Sequence, residues 1–238
     1  MNIRKLSLII PCYNEESQIV ALLEKLNTLK LSHDTEKEII LINDGSTDQT
    51  ESRIEGFLEK NNSLQIEYIH HSRNKGKGAS IRSGLEKATG EVMVVQDADQ
   101  EYDPIELDRL IKPIRDGYAD VVYGSRFRGS DPHRILFFWH TVGNKFLTFL
   151  SNLFTGLNLT DMETGYKMVS MEVMKKLTLK ENRYGFEPEI TARLSKVRNI
   201  RIYEVGISYY GRTYEEGKKI RWKDGLKTIY CIFKYNIF

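Results

Sequence analysis

The sequence is poor in the residues that build disulfide frameworks, zinc sites and membrane-spanning helices. Its two cysteines, Cys12 and Cys231, lie far apart and outside any Cys-x-x-Cys pair, which argues against a disulfide framework or a zinc site. Its five histidines show no His-Glu-x-x-His spacing, which argues against a zinc hydrolase. No run approaches the roughly 18 apolar residues of a transmembrane helix, and the apolar run at residues 6–10 is too short for a signal peptide. We therefore expect a cytoplasmic protein.

The chain also lacks a large excess of charge of either sign. Its net charge of +2 argues against a nucleic-acid-binding protein, because such domains usually show a strong basic excess. A chain of 238 residues that is 40% hydrophobic and 29% charged is ordinary for a globular protein. No internal repeat, low-complexity segment or linker divides the sequence, so we expect one catalytic domain over residues 1–238.

The first half alternates between strand-like and helix-like patterns. Apolar runs predict strands at residues 6–10, 38–43, 65–70, 91–97 and 119–124, and helical spacing predicts helices at residues 17–29, 47–60 and 76–88. This alternation predicts an α/β fold with a largely parallel sheet and helices on both faces. A further helix at residues 186–196, a strand at 200–211 and a basic tail follow in the second half.

Three polar segments follow predicted strands one, two and four: PCYNEES, NDGSTD and DADQE. Ligands bind at the carboxyl ends of the strands in open sheets of this kind, so we expect the three segments to form one site. Asp44 in the second segment is available for a ligand, although Gly45 and Ser46 also suit a simple turn. The segment RNKGKGAS opens a helix, and backbone amides at a helix N-terminus favour anions.

Carboxylates occupy alternate positions after the fourth strand, at Asp97, Asp99, Glu101 and Asp103. In an extended backbone they would share a face about 6.5–7 Å apart. At an effective dielectric constant near 20, neighbours would repel by roughly 2–3 kcal/mol, so water, helix capping or a cation must compensate. We expect Asp103 to cap a helix that starts at Pro104, with Glu106 as the reciprocal partner. The other three predict a divalent-cation site, with a solvated acidic loop as the alternative.

One long segment contains no acidic residue. Residues 132–160 lack aspartate and glutamate and are apolar around most of a helix. A weak polar stripe runs through the helix at Thr141, Asn144, Lys145, Thr148, Asn152 and Thr155. Directly after it, TDMETGYK places Asp161 and Glu163 where a general base or a capping acid could lie.

Together these segments resemble a known family. The motifs SLIIPCYNEE, LINDGSTD, NKGKGASIRSG, QDADQEYDP, VVYGSRF, TDMETGYK and GRTYEEGKK occur in the family's order. The chain resembles the family 2 glycosyltransferases of the GT-A fold, close to the polyprenol-phosphate (dolichol-phosphate) mannose and glucose synthases. The resemblance implies a Rossmann-like, three-layer α/β/α architecture with a mostly parallel central sheet and an amphipathic interface helix in the second half.

The resemblance also assigns roles to individual residues. Those matching donor-nucleotide positions are Pro11, Tyr13, Glu15, Asp44, Lys77, Asp97, Ala98 and Asp99. Asp97, Asp99 and Glu101 match positions that hold Mg²⁺ or Mn²⁺, and Asp161 and Asp99 match catalytic positions. Residues matching positions around the donor diphosphate and acceptor phosphate are Arg126, Arg134, Arg212 and Lys218. Two positions depart from the pattern: Asn43 replaces an aspartate, and Glu101 replaces the glutamine of the mannose synthases.

The implied reaction is inverting, metal-dependent transfer of a hexose from a UDP- or GDP-hexose to a polyprenyl phosphate. A phosphate acceptor is already ionised at neutral pH, so Asp161 would orient groups or stabilise charge rather than remove a proton. One alternative acceptor is a soluble or cell-envelope saccharide. Another alternative is a nucleotide-sugar-binding protein without turnover. A nucleotidyltransferase of similar fold is disfavoured, because PCYNEE lacks the glycines of a triphosphate-binding loop.

The acid-free segment fits this reaction as an interfacial helix. An amphipathic helix lying in the membrane interface would present a lipid phosphate to Arg126, Arg134 and Arg212. We therefore expect peripheral attachment to the cytoplasmic face of a membrane. Packing into the core or against a second subunit remains the alternative, and the sequence leaves the oligomeric state, the sugar and the nucleotide open.

Overall fold

A seven-stranded sheet forms the centre of the computed structural model, which describes residues 3–61, 64–129, 134, 138–212 and 222–237. The strands are β1 (Lys5–Cys12), β2 (Glu36–Asn43), β3 (Ile66–His70), β4 (Val92–Val95), β5 (Val121–Ser125), β6 (Lys167–Ser170) and β7 (Ile202–Gly206). Their order across the sheet is β3-β2-β1-β4-β6-β5-β7. β6 pairs antiparallel with both β4 and β5, and the other pairings are parallel. The predicted α/β class with a mostly parallel sheet is confirmed.

Helices flank the sheet: α1 (Ile19–Thr28), α2 (Thr50–Lys60), α3 (Lys77–Leu85), α4 (Leu107–Arg115), α5 (Phe138–Thr155), α6 (Met171–Met174), α7 (Phe186–Ser195) and α8 (Trp222–Ile237). Alternate side chains of β1 point to opposite faces, as in any strand. Leu8 and Ile10 pack in the cluster that contains α1, α2 and α4, whereas Ile9 packs in the cluster that contains Ile81 of α3 and Phe186 of α7. Burial on both faces explains why the strand is apolar throughout, and it gives the predicted three layers.

Several predicted elements differ from the structure in the second half. Strand β6 begins at the end of the DMETGYK segment, where no strand was predicted, and the basic tail contains the 16-residue helix α8. β6 is only four residues long and fully buried, so it shows no alternation. The predicted strand at 200–211 is shorter, with β7 ending at Gly206. Within the predicted 133–159 helix, α5 begins at Phe138, and residues 133 and 135–137 lie outside the described part of the chain.

Asp103 caps the helix start that follows β4, as predicted. Its Oδ1 accepts a hydrogen bond from the Ile105 amide at 3.1 Å, and Pro104 occupies the first helical position. The reciprocal role predicted for Glu106 is wrong. The Glu106 carboxylate instead pairs with Arg109 at 2.8 Å and accepts hydrogen bonds from Ser208, so it ties this helix to the segment after β7.

Candidate active site

The carboxyl ends of β1, β2 and β4 lie along one rim of the sheet, as the sequence predicts. Cys12 of β1 is in register with Asn43 of β2, and Ile9 of β1 with Val95 of β4. A cavity of about 1220 Å³ extends along this rim. Typical small-ligand pockets measure about 300–1,000 Å³, so this cavity has room for more than one small substrate.

Nearly all described residues predicted for the site line this cavity. They are Pro11, Tyr13, Glu15, Asp44, Lys77, Asp97, Ala98, Asp99, Glu101, Arg126, Arg134 and Arg212. Arg134 also donates from Nη1 to the carbonyl of Gly211 at 3.1 Å. Asp161 does not contact the cavity directly, and Lys218 lies outside the described residues.

Asp44 anchors the entry to helix α3. Its Oδ1 lies 2.7 Å from Nδ1 of His71 and accepts from the amide of Lys75 at 2.9 Å, and its Oδ2 accepts from the amide of Gly76 at 2.7 Å. Gly76 has a φ of 101°, a left-handed conformation that favours glycine. The Asp44 carboxylate therefore fixes the turn that carries Lys77 into the cavity.

The carboxylate row is not extended in the folded protein. Strand β4 ends at Val95, and Gln100 adopts a φ of 56°, so the side chains separate instead of sharing one face. The Nζ of Lys77 lies 2.8 Å from Asp97 Oδ1. Arg212 Nη2 lies 2.9 Å from Asp99 Oδ2, and Glu101 accepts hydrogen bonds from Tyr209 and from the Arg212 amide. Lys77 and Arg212 therefore offset part of the repulsion among these carboxylates.

Arg212 lies among three carboxylates. Its Nη1 lies 3.2 Å from Glu15 Oε2, and its Nε lies 3.5 Å from Glu101 Oε1, in addition to the contact with Asp99. Burial, together with the charges of Asp97 and Glu101, nevertheless raises the pKa of Asp99 to about 7. Among the described residues, four carboxylates meet two cations here, Lys77 and Arg212, so acidic charge exceeds basic charge at this end of the cavity.

Asp161 is fully buried and paired with Arg126. Its Oδ2 accepts from Arg126 Nε at 2.7 Å and from the Arg126 amide at 3.1 Å, and its Oδ1 accepts from Nη2 at 2.7 Å. The Arg126 guanidinium lies 5.1 Å from the ring centroid of Tyr209 and lines the cavity. Asp161 thus influences the cavity through Arg126, whose guanidinium it orients by accepting from both Nε and Nη2.

Helices α5 and α8 form the outer wall of the cavity. Residues of α5 that line it include His140, Thr141 and Asn144, and those of α8 are Asp224, Gly225 and Thr228. The two helices pack together, with the rings of Phe154 and Phe233 centred 5.0 Å apart. The two helices also expose large apolar side chains: Phe138, Trp139, Val142, Phe146, Phe149 and Leu153 on α5, and Leu226, Tyr230, Phe233 and Ile237 on α8. Of these, Trp139 lines the cavity as well. No helix in the described part of the chain is both long and apolar enough to cross a bilayer.

Residues 7–178 match the family described as Glycosyl transferase family 2. The chain belongs to this family. The predicted recognition and the predicted enzyme class, a glycosyltransferase, are therefore confirmed.

Curated relatives align over most of this glycosyltransferase. A dodecaprenyl-phosphate galacturonate synthase of Rhizobium johnstonii is 25% identical over 90% of this chain, which spans only 61% of that protein. A UDP-N-acetylglucosamine–dolichyl-phosphate N-acetylglucosaminyltransferase of Methanococcus voltae is 29% identical over 94% of this chain and 92% of its own length. An undecaprenyl-phosphate mannosyltransferase of Micrococcus luteus is 29% identical over 88% of this chain and 85% of its own length.

Solved structures show the same fold. Glucosyl-3-phosphoglycerate synthase from Mycobacterium tuberculosis, crystallised with Mn²⁺, uridine diphosphate and glucosyl-3-phosphoglycerate, superposes with a TM-score of 0.75 at 18% identity. The match covers 99% of this chain and 81% of that one. It confirms the fold that the resemblance implied.

The cavity of this family 2 glycosyltransferase contains residues that sequence reasoning did not select. Glu187, at the start of α7, lines the cavity with its Oε1 3.0 Å from the Nζ of Lys77. Lys167 of β6 does not line the cavity but is buried, 5.2 Å from the ring centroid of Tyr123. Burial lowers the pKa of Lys167 to about 8. Glu187 occurs in FEPE, where an acid in the first turn also suits ordinary helix capping, so the local pattern gave no distinguishing signal.

Proposed function

We propose that this protein transfers a hexose from a nucleotide sugar to a polyprenyl phosphate at a membrane surface, in an inverting, metal-dependent reaction. The observation that supports the lipid acceptor most directly is the double character of α5 and α8. Polar residues of both helices line the cavity, and the same helices expose nine large apolar side chains that do not line it. An acceptor with a charged head and an apolar chain matches this arrangement. The names of the curated relatives support the same acceptor class.

The donor would occupy the end of the cavity nearest β1, β2 and β4. Pro11, Tyr13, Glu15 and Asp44 are the residues proposed to contact its base and ribose, and all four line the cavity. The α3 N-terminus and Lys77 lie beside them, where backbone amides and an ammonium favour an anion such as the diphosphate. Arg126 and Arg212 are the other proposed diphosphate contacts.

The donor atoms present fit a hard divalent cation. Asp97, Asp99 and Glu101 offer carboxylate oxygens, which Mg²⁺ and Mn²⁺ prefer, and the Arg212 cation already lies among two of these residues and Glu15. Within the described residues no three His, Cys, Asp or Glu side chains are arranged to hold a metal ion together. To hold the ion, Asp97, Asp99 and Glu101 would have to approach one another more closely than they do with Arg212 among them. The ion, when bound, would neutralise charge on the departing diphosphate.

In the proposed reaction, an oxygen of the acceptor phosphate forms a bond to the anomeric carbon of the hexose. The bond from that carbon to the diphosphate oxygen breaks, and its electron pair leaves with the nucleoside diphosphate. Arg126, Arg134 and Arg212 would hold the acceptor phosphate, which needs no deprotonation near neutral pH because its second pKa is near 6. Asp161 would keep Arg126 oriented toward the two phosphate groups. We place the reaction at the cytoplasmic face, with the protein attached peripherally.

The test is a donor screen that measures released nucleoside diphosphate. UDP- and GDP-hexoses are supplied with Mn²⁺, with or without polyprenyl phosphate in vesicles. Release with one donor class only when the lipid phosphate and Mn²⁺ are both present supports the proposal, and Asp99→Ala should abolish that release. Equal release with a soluble saccharide in place of the lipid would overturn the acceptor assignment. Calorimetric donor binding without release under any condition would indicate a nucleotide-sugar-binding protein.

A further inference from the structure

One carboxylate that lines the cavity has a buried oxygen without a hydrogen-bond partner among the described residues. Glu163 lines the cavity, and its Oε1 is buried with no hydrogen-bond partner among the described residues. Buried polar side-chain atoms in folded proteins almost always have a hydrogen-bond partner, so each exception calls for an explanation. An acceptor left open beside a ligand cavity is available for a donor group of the ligand.

The cations near Glu163 are engaged elsewhere. Lys167 Nζ donates to the carbonyl of Thr164 at 2.5 Å, Lys77 pairs with Asp97 and Glu187, and Arg126 pairs with Asp161. Burial and the neighbouring charge of Glu187 raise the pKa of Glu163 to about 7. This environment is unfavourable for an unliganded carboxylate, and such positions concentrate at functional sites.

The position of Glu163 relates it to the donor end of the cavity. Gly165, two residues further along, packs so closely against the side chains of Asp97 and Tyr102 that a Cβ there would collide with Asp97. Lys77 pairs through its ammonium with both Asp97 and Glu187. Glu187 is also a charged neighbour of Glu163. The loop before β6 therefore places Glu163 beside residues that the proposed function assigns to the donor.

The chemistry of this region selects a neutral group rich in hydroxyls. Glu163 and Glu187 would repel a phosphate at this point, whereas Arg126, Arg134 and Arg212, which also line the cavity, suit the two phosphate groups. Sugar hydroxyls donate hydrogen bonds to carboxylates and accept them from lysines, and both kinds of partner are present here. A hexose is the neutral part of the proposed donor.

We propose that Glu163 accepts a hydrogen bond from a hydroxyl of the transferred hexose and so helps to select the sugar. The inference rests on the proposed function, because it takes the ligand to be a nucleotide sugar. It gives Glu163 a role in binding the donor's sugar rather than in removing a proton from the acceptor.

The test measures donor affinity by calorimetry on the full chain. The wild type, Glu163→Gln, Glu163→Asp and the exposed control Glu172→Gln are each titrated with UDP- or GDP-hexose and with the nucleoside diphosphate alone. Loss of a hydrogen bond to a charged group corresponds to roughly a 10- to 100-fold weaker affinity. We expect a loss of this size for both Glu163 variants with the nucleotide sugar, less than about twofold with the diphosphate, and no change for the control.

Donors lacking single hydroxyl groups identify the contact. The wild type should bind one of the deoxy-sugar donors more weakly, by the same factor in affinity that Glu163→Gln loses with the complete donor. Glu163→Gln should bind that deoxy-sugar donor as tightly as it binds the complete donor, as in a double-mutant cycle. Thermal melting checks folding: Glu163→Gln should melt no lower than the wild type, because it removes an unpaired carboxylate. The inference is overturned if the Glu163 variants lose as much affinity for the nucleoside diphosphate as for the nucleotide sugar. It is also overturned if the sugar strengthens their binding over that of the diphosphate as much as it does for the wild type.

The same data separate this inference from the proposed function. Sugar-dependent binding that requires Glu163, without any transfer to lipid, would sink the proposed function and support the role of Glu163. Transfer to lipid phosphate with unchanged sugar-dependent binding in the Glu163 variants would support the function and overturn the role. A protein that binds neither UDP- nor GDP-hexoses in calorimetry would overturn both.

Discussion

Charged side chains at the site compensate one another before any substrate binds. Lys77 lies between Asp97 and Glu187, and Arg212 lies among Glu15, Asp99 and Glu101. A row of acids that looks improbable in an extended strand is therefore stable in the fold. The same pairings mean that substitution of one member leaves its partner as an uncompensated charge, so stability and activity must be measured together.

Asp161→Ala should destabilise the protein as well as impair its activity. The substitution leaves the guanidinium of Arg126, whose side chain is only 14% exposed, without its carboxylate. Breaking a buried pair in this way costs roughly 3–5 kcal/mol in the free energy of unfolding. Glu172→Ala, which breaks the exposed pair with Lys176, is the matched control and should cost less than about 1 kcal/mol. Equal urea-unfolding midpoints for the two variants would contradict this prediction.

Glu163→Gln should change the pH dependence of stability. Because the pKa of Glu163 rises from 4.5 to about 7 on folding, its ionisation costs stability progressively across that interval. The facing charges are Glu187 on α7, Lys167 on β6, Arg126 after β5 and Asp161 on the same loop.

Below pH 4.5 the wild type and Glu163→Gln should unfold with equal free energies as far as this group is concerned. The variant should gain up to about 3 kcal/mol relative to the wild type by pH 8, because the rise in the pKa of Glu163 from 4.5 to about 7 corresponds to that bound at 1.36 kcal/mol per pKa unit. Urea unfolding of both proteins at several pH values measures the difference. A constant difference from pH 4 to pH 8 would show that Glu163 ionises normally.

At the scale of elements, helix α3 is held close to the segment before α7. A Cβ on Gly78 would collide with the carbonyl oxygen of Glu181, and the amide of Ala79 donates to the carbonyl of Asn182 at 3.1 Å. Further along the helix, a Cβ on Gly84 would lie 2.5 Å from Cγ2 of Ile9 in β1. These small residues let α3 lie near the sheet with Lys77 directed into the cavity.

Two glycine-to-alanine substitutions should therefore have opposite effects. Gly78→Ala forces the backbone of residues 181–182 to move and should cost roughly 1–3 kcal/mol, as overpacking does. Gly56→Ala in α2 meets no atom within 4 Å and should stabilise by roughly 0.5–1 kcal/mol, because alanine favours a helix interior. Thermal melting of both variants measures this. An unchanged melting temperature for Gly78→Ala would contradict the packing described for α3, and a lower one for Gly56→Ala would contradict the open space beside Gly56 in α2.

The two halves of the chain differ in how well local pattern predicted their elements. β1 to β5 and the helices between them follow from apolar runs and helical spacing, and even the four-residue β4 is an unbroken apolar run, whereas Lys167 and Ser170 interrupt such a run in β6. β6 has four buried residues and pairs with strands far away in sequence, so only long-range packing defines it. No helix was predicted over α8, although Leu226, Tyr230, Phe233 and Ile237 recur at helical spacing, because the basic residues around them obscured that pattern.

At the scale of the whole molecule, α5 and α8 pack together, line the cavity and expose large apolar side chains. We expect these side chains to bind vesicles of anionic phospholipid in the proposed function. Phe149→Ser with Leu153→Ser should weaken co-flotation with vesicles by at least about tenfold, since burying each such side chain contributes roughly 1.5–3 kcal/mol. Neither residue lines the cavity, so the fold and the site should remain intact.

The matched control changes two equally exposed apolar residues elsewhere on the surface. Ile105 and Tyr118 are 70% and 62% exposed, compared with 64% and 65% for Phe149 and Leu153. Ile105→Ser with Tyr118→Ser should leave vesicle binding unchanged. Equal losses of vesicle binding in the two double variants would indicate non-specific hydrophobic binding. Unchanged vesicle binding for Phe149→Ser with Leu153→Ser would argue against a lipid-facing surface.

By itself the sequence determined the alternating α/β architecture and the acidic segments at the ends of β1, β2 and β4, because strand and helix periods are local properties. Tertiary structure decided which charges meet. Arg212 pairs with Glu15 across 197 residues and with Asp99 across 113, and Asp161 pairs with Arg126 across 35. It also left Glu163 with an unpartnered oxygen beside the cavity. Pairings of this kind depend on distances between separate elements, which the spacing of residues along the chain does not encode.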